Sequence, residues 1–198
     1  DRIVGVRAKD SQTGQIFDIQ AKLVINCAGA WTDCLLEKAA LHSEYVTSVA
    51  MNVIVDQVWS PVAVGLTSQP VNGKPPQVLF IVPWRNKSMI GTCHIPWRDA
   101  PHTFKLSEAM VQEFLSQINS AHPALKLSLE DVRHVTWGFL PVNRADANRH
   151  PVRLTRDGVV IDHQKKDGIS GLISVLGAKY TTARMVAEQA MDLAVIQL

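Results

Sequence analysis

Several common signals are missing from these 198 residues, and each absence narrows the reading. Cys27, Cys34 and Cys93 are an odd number without zinc-type spacing. The seven histidines are scattered, and only Cys93-His94 puts two potential ligands side by side. No disulfide framework and no metal site are expected, and a reducing compartment such as the cytoplasm fits best. Excess charge is missing too. With a net charge of +2 and no basic run interleaved with aromatics, nucleic acid is not an expected partner. The longest apolar run, around Val78 to Val82, falls far short of the roughly 20 residues that span a bilayer. No Gly-x-Gly-x-x-Gly fingerprint occurs. Nor is there an initial Met: the chain opens Asp1-Arg2-Ile3-Val4 and reads as a strand by its third residue, as expected for part of a larger domain.

What is present reads as α/β, or α+β overall. Ile3–Ala8 and Ile16–Ala21 flank the turn chemistry of Asp10 to Gly14 and predict a hairpin, with Phe17, Ile19 and Ala21 on one side. Leu23-Val24-Ile25-Asn26-Cys27 is a buried-type strand running into Ala28-Gly29-Ala30-Trp31, with Thr32 or Asp33 as cap of the next helix. From about Tyr45 strands and long loops dominate. Val46–Val55 is a strand, and Gln77–Trp84 with Ser88–Ile95 is a second hairpin. One clean helix follows: Ser107 as N-cap, a Leu106/Val111 staple, and Val111, Phe114, Leu115 and Ile118 at helical spacing. Glu130–Leu140 is a further strand, Asn143–His150 an exposed loop, and Val152–Leu154 and Gly158–Ile161 are short strands. The run Leu172–Leu176 leads into a closing helix with Val186, Ala190 and Leu193 at helical spacing. The expected architecture is an α/β layer, residues 1–43 and 151–198, interrupted by a β-rich insertion over 44–150.

The stretch that organises the chain is Gly177-Ala178-Lys179-Tyr180-Thr181-Thr182-Ala183-Arg184. A strand that ends on Gly and turns into a helix aims free N–H groups at whatever lies beyond it, a place that favours negative charge. Read alone it is a weak signal, because most strand-to-helix turns bind nothing and the plain reading is a capped turn with Lys179 in solvent.

Four stretches in order resemble the FAD-dependent glycerol-3-phosphate dehydrogenases, within the D-amino-acid-oxidase-like flavoproteins. Asn26-Cys27-Ala28-Gly29-Ala30-Trp31-Thr32-Asp33 resembles the family's Asn-Ala-Ala-Gly-Pro-Trp-x-Asp segment. Pro83-Trp84 followed by Ile90-Gly91-Thr92 resembles its Ile-Pro-Trp then Ile-Gly-Thr hairpin. Gly138-Phe139-Leu140-Pro141 sits where the family has Gly-x-Arg-Pro. Leu172–Arg184 resembles its closing Leu-Leu-Ser-Val-x-Gly-Gly-Lys-x-Thr-Thr-x-Arg segment. The resemblance covers the C-terminal part of the family's catalytic region. It implies a partial FAD-binding Rossmann-like domain plus an inserted antiparallel substrate-binding sheet with a flanking helix. It also implies that the Gly-rich fingerprint lies upstream, so the chain alone is expected to be colourless and inactive.

The resemblance implies further that Gly177, Ala178, Lys179, Tyr180, Thr181 and Thr182 face the flavin, with Lys179 reaching toward substrate, and that Ala28, Gly29 and Trp31 lie near the nucleotide. Two departures bear on the substrate. Leu140 replaces an Arg that would hold an anion, leaving Arg144 as the nearest compensating cation. Cys93-His94 replaces Thr-Asp, which makes His94 a candidate for proton transfer, against the commoner structural role of a lone His at a strand end. Trp84, Trp97 and Trp137 are assigned to packing. The implied activity is hydride removal from a C–OH of a small, polyol phosphate-like substrate. The alternatives are an amine or amino-acid oxidase of the same fold, or a non-catalytic remnant. The electron acceptor stays open, as does a peripheral association of the full-length protein with the inner face of the cell membrane.

Overall fold

The computed structural model describes residues 1–56, 61–71, 73, 75–144, 158–177 and 179–198. The chain divides into two compact units, Asp1–Glu44 with Leu154–Leu198, and Tyr45–Arg153.

The first unit opens with β1 (Gly5–Lys9) and β2 (Ile16–Gln20), an antiparallel hairpin in register from Gly5↔Gln20 to Lys9↔Ile16. Its turn closes on Asp10, whose carboxylate accepts the Gln12 and Thr13 N–H groups at 2.7 and 2.8 Å. These bonds, Thr13's first, hold that carboxyl below the usual carboxylate range. The alternation of the second strand predicts a covered face, yet Phe17 and Ile19 remain 43% and 52% exposed. The short strand β3 (Val24–Asn26) follows, then a 3-10 turn, Gly29–Trp31, and α1 (Thr32–Leu36). Neither Thr32 nor Asp33 caps this helix: its cap position is Trp31, and Asp33 instead accepts the Ser43 N–H at 2.9 Å.

The second unit is one antiparallel sheet with a helix on one face. Its strands are β4 (Tyr45–Val55), β5 (Val64–Thr67), β6 (Val78–Trp84), β7 (Lys87–Trp97) and β8 (Val132–Asn143), in the order β5-β6-β7-β4-β8. Arg85 and Asn86, with φ of 48° and 60°, form the two-residue turn of the β6–β7 hairpin, since positive φ at both positions matches the strands' twist. Packed on the sheet is α2 (Glu108–Ala121). Ser107 caps it by accepting the Met110 N–H at 3.3 Å, and His122, ahead of Pro123, ends it. Its buried stripe, Val111, Phe114, Leu115 and Ile118, meets Met51, Val53, Leu79 and Ile90 in the core, and Leu106 packs against the same cluster. Trp97, Phe104, Trp137 and Phe139 stack edge-on with centroids 4.9–5.8 Å apart, so two of the tryptophans serve packing. Trp84 lies under the Arg85 guanidinium, 4.9 Å from the ring centroid.

The chain then completes the first unit with β9 (Val159–Asp162), α3 (His163–Asp167), β10 (Leu172–Leu176) and α4 (Ala183–Gln197). The short α3 has no counterpart in the sequence reading. Asp162 caps it by accepting two N–H groups, and Gly168, at φ 73°, ends it in the left-handed region. In α4 the buried stripe is Val186, Ala190 and Ala194 rather than Leu193. A Cβ on Gly158 would stand 2.1 Å from Val186 Cγ2, so only glycine lets this helix lie so close. These strands form a three-stranded sheet, β3-β10-β9, with β10 parallel to β3 and antiparallel to β9. The expected loop Asn143–His150 loses its first residue to β8, which runs to Asn143; its part from 145 onward and the Val152–Leu154 strand lie outside the described residues.

Candidate functional site

Parallel pairing of β3 with β10 decides where the first unit's two motif turns emerge. Val24 pairs with Leu172, Ile25 with Ile173 and Asn26 with Ser174. The carboxyl ends of both strands therefore lie side by side, and the turns Cys27–Trp31 and Gly177–Thr182 leave the sheet from that one edge. Ligands of open α/β sheets bind at this kind of edge. Gly29 has φ +58°, and a Cβ there or on Gly177 would meet nothing within 4 Å. Backbone can thus be approached closely at both turns.

Among the described residues no side chain caps the Gly29–Trp31 turn, the Tyr180–Thr182 turn or the start of α4. Lys179 precedes the second turn in extended conformation, and its carbonyl accepts the Thr182 hydroxyl at 3.2 Å. Lys179, Thr181 and Gly29 are exposed, Trp31 is 48% exposed and Tyr180 wholly so. Ala28 and Thr182 are half-buried. Ala178 lies outside the described residues. Turn backbone without side-chain caps, two unhindered glycines and an adjacent lysine are a set that fits an electronegative cofactor edge or a diphosphate.

Behind these turns lies a polar chain that the sequence reading missed. Asp167 Oδ2 is 2.7 Å from His163 Nδ1, and His163 Nε2 is 2.8 Å from Ser174 Oγ. Asn26 Nδ2 donates to Ser174 Oγ and to the Thr32 carbonyl, both at 3.4 Å. Asn26 Oδ1 accepts the Ala28 N–H at 3.1 Å. His163 and Ser174 are completely buried. Asn26 and Ser174 stood within recognisable motif stretches; His163 and Asp167 offered only their i, i+4 spacing.

In the second unit, His94 pairs with Ala50, which on its other side pairs with Gly138; Leu140 lies opposite Ser48. Pairing parity puts His94, Gly138 and Leu140 on one face of the sheet, opposite the face that carries Met51 and Val53 toward α2. Leu140 is half-buried and Arg144, just past the end of β8, is exposed. On the same face Thr92 Oγ1 donates to Asn52 Oδ1 at 3.0 Å, and a Cβ on Gly91 would stand 1.8 Å from that oxygen. The Ile90-Gly91-Thr92 motif thus needs its glycine to make room for Asn52.

His94 is half-buried, and its Nδ1 has no hydrogen-bond partner among the described residues. Burial pushes its pKa below the usual histidine value. Stability should therefore fall as pH drops through the unfolded-state value of about 6.5, because the unfolded chain takes up a proton that the folded one resists. The loss stops below the lowered folded value. His94→Gln should flatten this part of the profile, read as the urea midpoint against pH; an unchanged slope would show that His94 is not its source. Among the described residues no cluster of three or more His, Cys, Asp or Glu could hold a metal, and no helix is long and apolar enough to cross a membrane.

The model of the FAD-dependent oxidoreductase (DAO) family matches residues 1–188. The chain belongs to this DAO family. The DAO-family chain is 32% identical over 200 residues to a glycerol-3-phosphate dehydrogenase of Mycobacterium leprae, covering 98% of this chain and 32% of that protein. It is 25% identical over 223 residues to the mitochondrial glycerol-3-phosphate dehydrogenase of Saccharomyces cerevisiae, covering 96% and 33%. The chain thus spans about one third of the length of the curated relatives it matches. Among solved structures, the glycerol-3-phosphate dehydrogenase of Bacillus halodurans complexed with FAD superposes with a TM-score of 0.76 at 26% identity, covering 97% of this chain and 35% of that one. A glycine oxidase of Bacillus cereus shares the fold, with a TM-score of 0.53 at 17% identity over 92% of this chain and 44% of that one. The family's cofactor is FAD, and the mixed α/β architecture is that of its FAD-binding fold.

Proposed function

We propose that this chain supplies the closing part of the FAD-binding domain and the substrate-binding sheet of a dehydrogenase that oxidises a C–OH on a polyol phosphate-like substrate. The observation that carries the reading is the side-by-side exit of two uncapped turns at the ends of β3 and β10, in a chain of the DAO family. Ala28, Gly29 and Trp31 would lie along the nucleotide, and Gly177, Tyr180 and Thr181 would hold the flavin ring through backbone N–H groups, with Thr182 closing the turn on the Lys179 carbonyl. FAD, when bound, supplies the hydride acceptor.

The chain's own groups do the rest. Oxidation of C–OH to C=O removes a hydride from carbon and a proton from oxygen. His94, kept neutral by burial, is the group assigned to take that proton. With Nδ1 shut away from solvent, Nε2 is the nitrogen through which it would act. Lys179 contributes a positive charge for the substrate oxygens.

A second reading, an amine or amino-acid oxidase, is favoured by one residue. Leu140 lies on the same sheet face as His94 and can hold no phosphate. Under the first reading Arg144 supplies the missing cation, and Arg144→Ala should raise the KM for glycerol 3-phosphate about tenfold or more, the scale of one charge-assisted hydrogen bond. The deciding experiment is turnover of the full-length protein on glycerol 3-phosphate against a panel of primary and secondary amines. Activity on the phosphate supports the first reading; activity on amines alone replaces it with the second.

A further inference from the structure

We infer that Asp167, His163, Ser174 and Asn26 form a one-way hydrogen-bond relay that positions the Cys27–Trp31 turn and thereby sets how tightly the nucleotide of FAD is held. The inference rests on the cofactor role proposed above for that turn.

For a neutral His163 imidazole, the direction of every bond follows from the first. A carboxylate only accepts, so Asp167 fixes the proton of His163 on Nδ1. Nε2 is then the acceptor, and the Ser174 hydroxyl must donate to it. With its proton committed, Ser174 Oγ offers lone pairs, which draws the NH2 end of Asn26 toward it. The amide of Asn26 can then face only one way, with Oδ1 toward the Ala28 N–H. Because Nδ2 also reaches the Thr32 carbonyl, Asn26 grips the turn at both of its ends.

Sheet pairing explains how four distant residues meet. Parallel register sets Ser174 beside Asn26, and antiparallel register sets Asp162 opposite Ile173, which starts α3 and His163 next to the same strand. Ser174, His163 and Asp167 have the order of a hydrolytic triad. Complete burial of Ser174 and His163 excludes that chemistry, since no substrate carbonyl can reach Oγ. Apolar side chains would fill such a space without the desolvation cost of four polar groups, and what the polar ones add is a fixed orientation at the far end of the relay. These are positioning residues.

The test uses the full-length protein, stripped of FAD and titrated with it, with Ser174→Ala, Asp167→Asn and the double variant. Ser174→Ala should weaken FAD binding about tenfold, Asp167→Asn should shift it the same way by less, and the double variant should be no weaker than Ser174→Ala, because a relay already cut cannot be cut again. At saturating FAD, kcat should stay within about twofold of the parent, a split that general unfolding would not give. Asp167 keeps its volume in the Asn variant and its side chain is 20% exposed, so this variant reports on the relay even where Ser174→Ala fails to fold. FAD affinities unchanged in both single variants, or effects that multiply in the double, would overturn the relay. A parent protein that binds no FAD overturns instead the cofactor reading of the turn.

Discussion

Lys179→Ala is expected to lower kcat/KM for glycerol 3-phosphate by about 10²- to 10³-fold, the range found when one preorganised donor to a developing charge is removed. The residue stands in extended conformation between the end of β10 and the uncapped Tyr180–Thr182 turn, with an exposed side chain. The exposed side chain stands outside the strands of the sheet, so its removal should move the melting temperature little. FAD content should hold as well, because the turn's backbone N–H groups remain. Loss of turnover with retained flavin and retained stability is the signature of a residue that touches substrate. Turnover within about threefold of the parent would place Lys179 in solvent, as in any plain strand-to-helix turn.

Phe114→Ala is expected to have the opposite profile, a loss of about 3–5 kcal/mol in unfolding free energy. Phe114 is fully buried at the middle of α2's apolar stripe, in the cluster with Met51, Leu79 and Ile90. Cutting the ring to a methyl leaves a cavity between helix and sheet that neither element can close without breaking its own hydrogen bonds. Val195→Ala, on a residue 70% exposed, is the control and should stay within about 0.5 kcal/mol. Urea unfolding followed by fluorescence reads both. A loss below about 1 kcal/mol for Phe114→Ala would mean that α2 is not packed as described.

Elements with strong local signals were legible in the sequence. The helix Glu108–Ala121 announced its cap at Ser107 and its stripe from Val111 to Ile118, and the first hairpin announced its turn from Asp10 to Gly14. The elements that local chemistry underdetermines were not. A five-residue helix such as His163–Asp167 has too few turns for a periodic stripe, and its cap, Asp162, closes a strand and reads as strand end. Phe17 and Ile19 alternate as a buried face would, although both remain about half exposed.

The site divides the same way. Motif order pointed to the turns after β3 and β10, but only the pairing of those strands shows that both turns leave one edge. The relay behind them was illegible because His163 and Asp167 meet Ser174 and Asn26 through sheet register, which no local spacing encodes. Leu140 works in the other direction. The sequence flagged it as a departure, and the pairing of β4 with β7 and β8 added that it shares a face with His94.

On the function proposed above, the flavin of this DAO-family protein lies against the turns that follow β3 and β10. A crystal structure of the full-length protein with FAD bound tests it most directly. The expected result is the pyrimidine edge of the ring within about 3 Å of backbone N–H groups of the Gly177–Thr182 turn, a hydrogen-bond distance, and the nucleotide along Ala28–Trp31. FAD bound elsewhere, with both turns facing solvent, would contradict it.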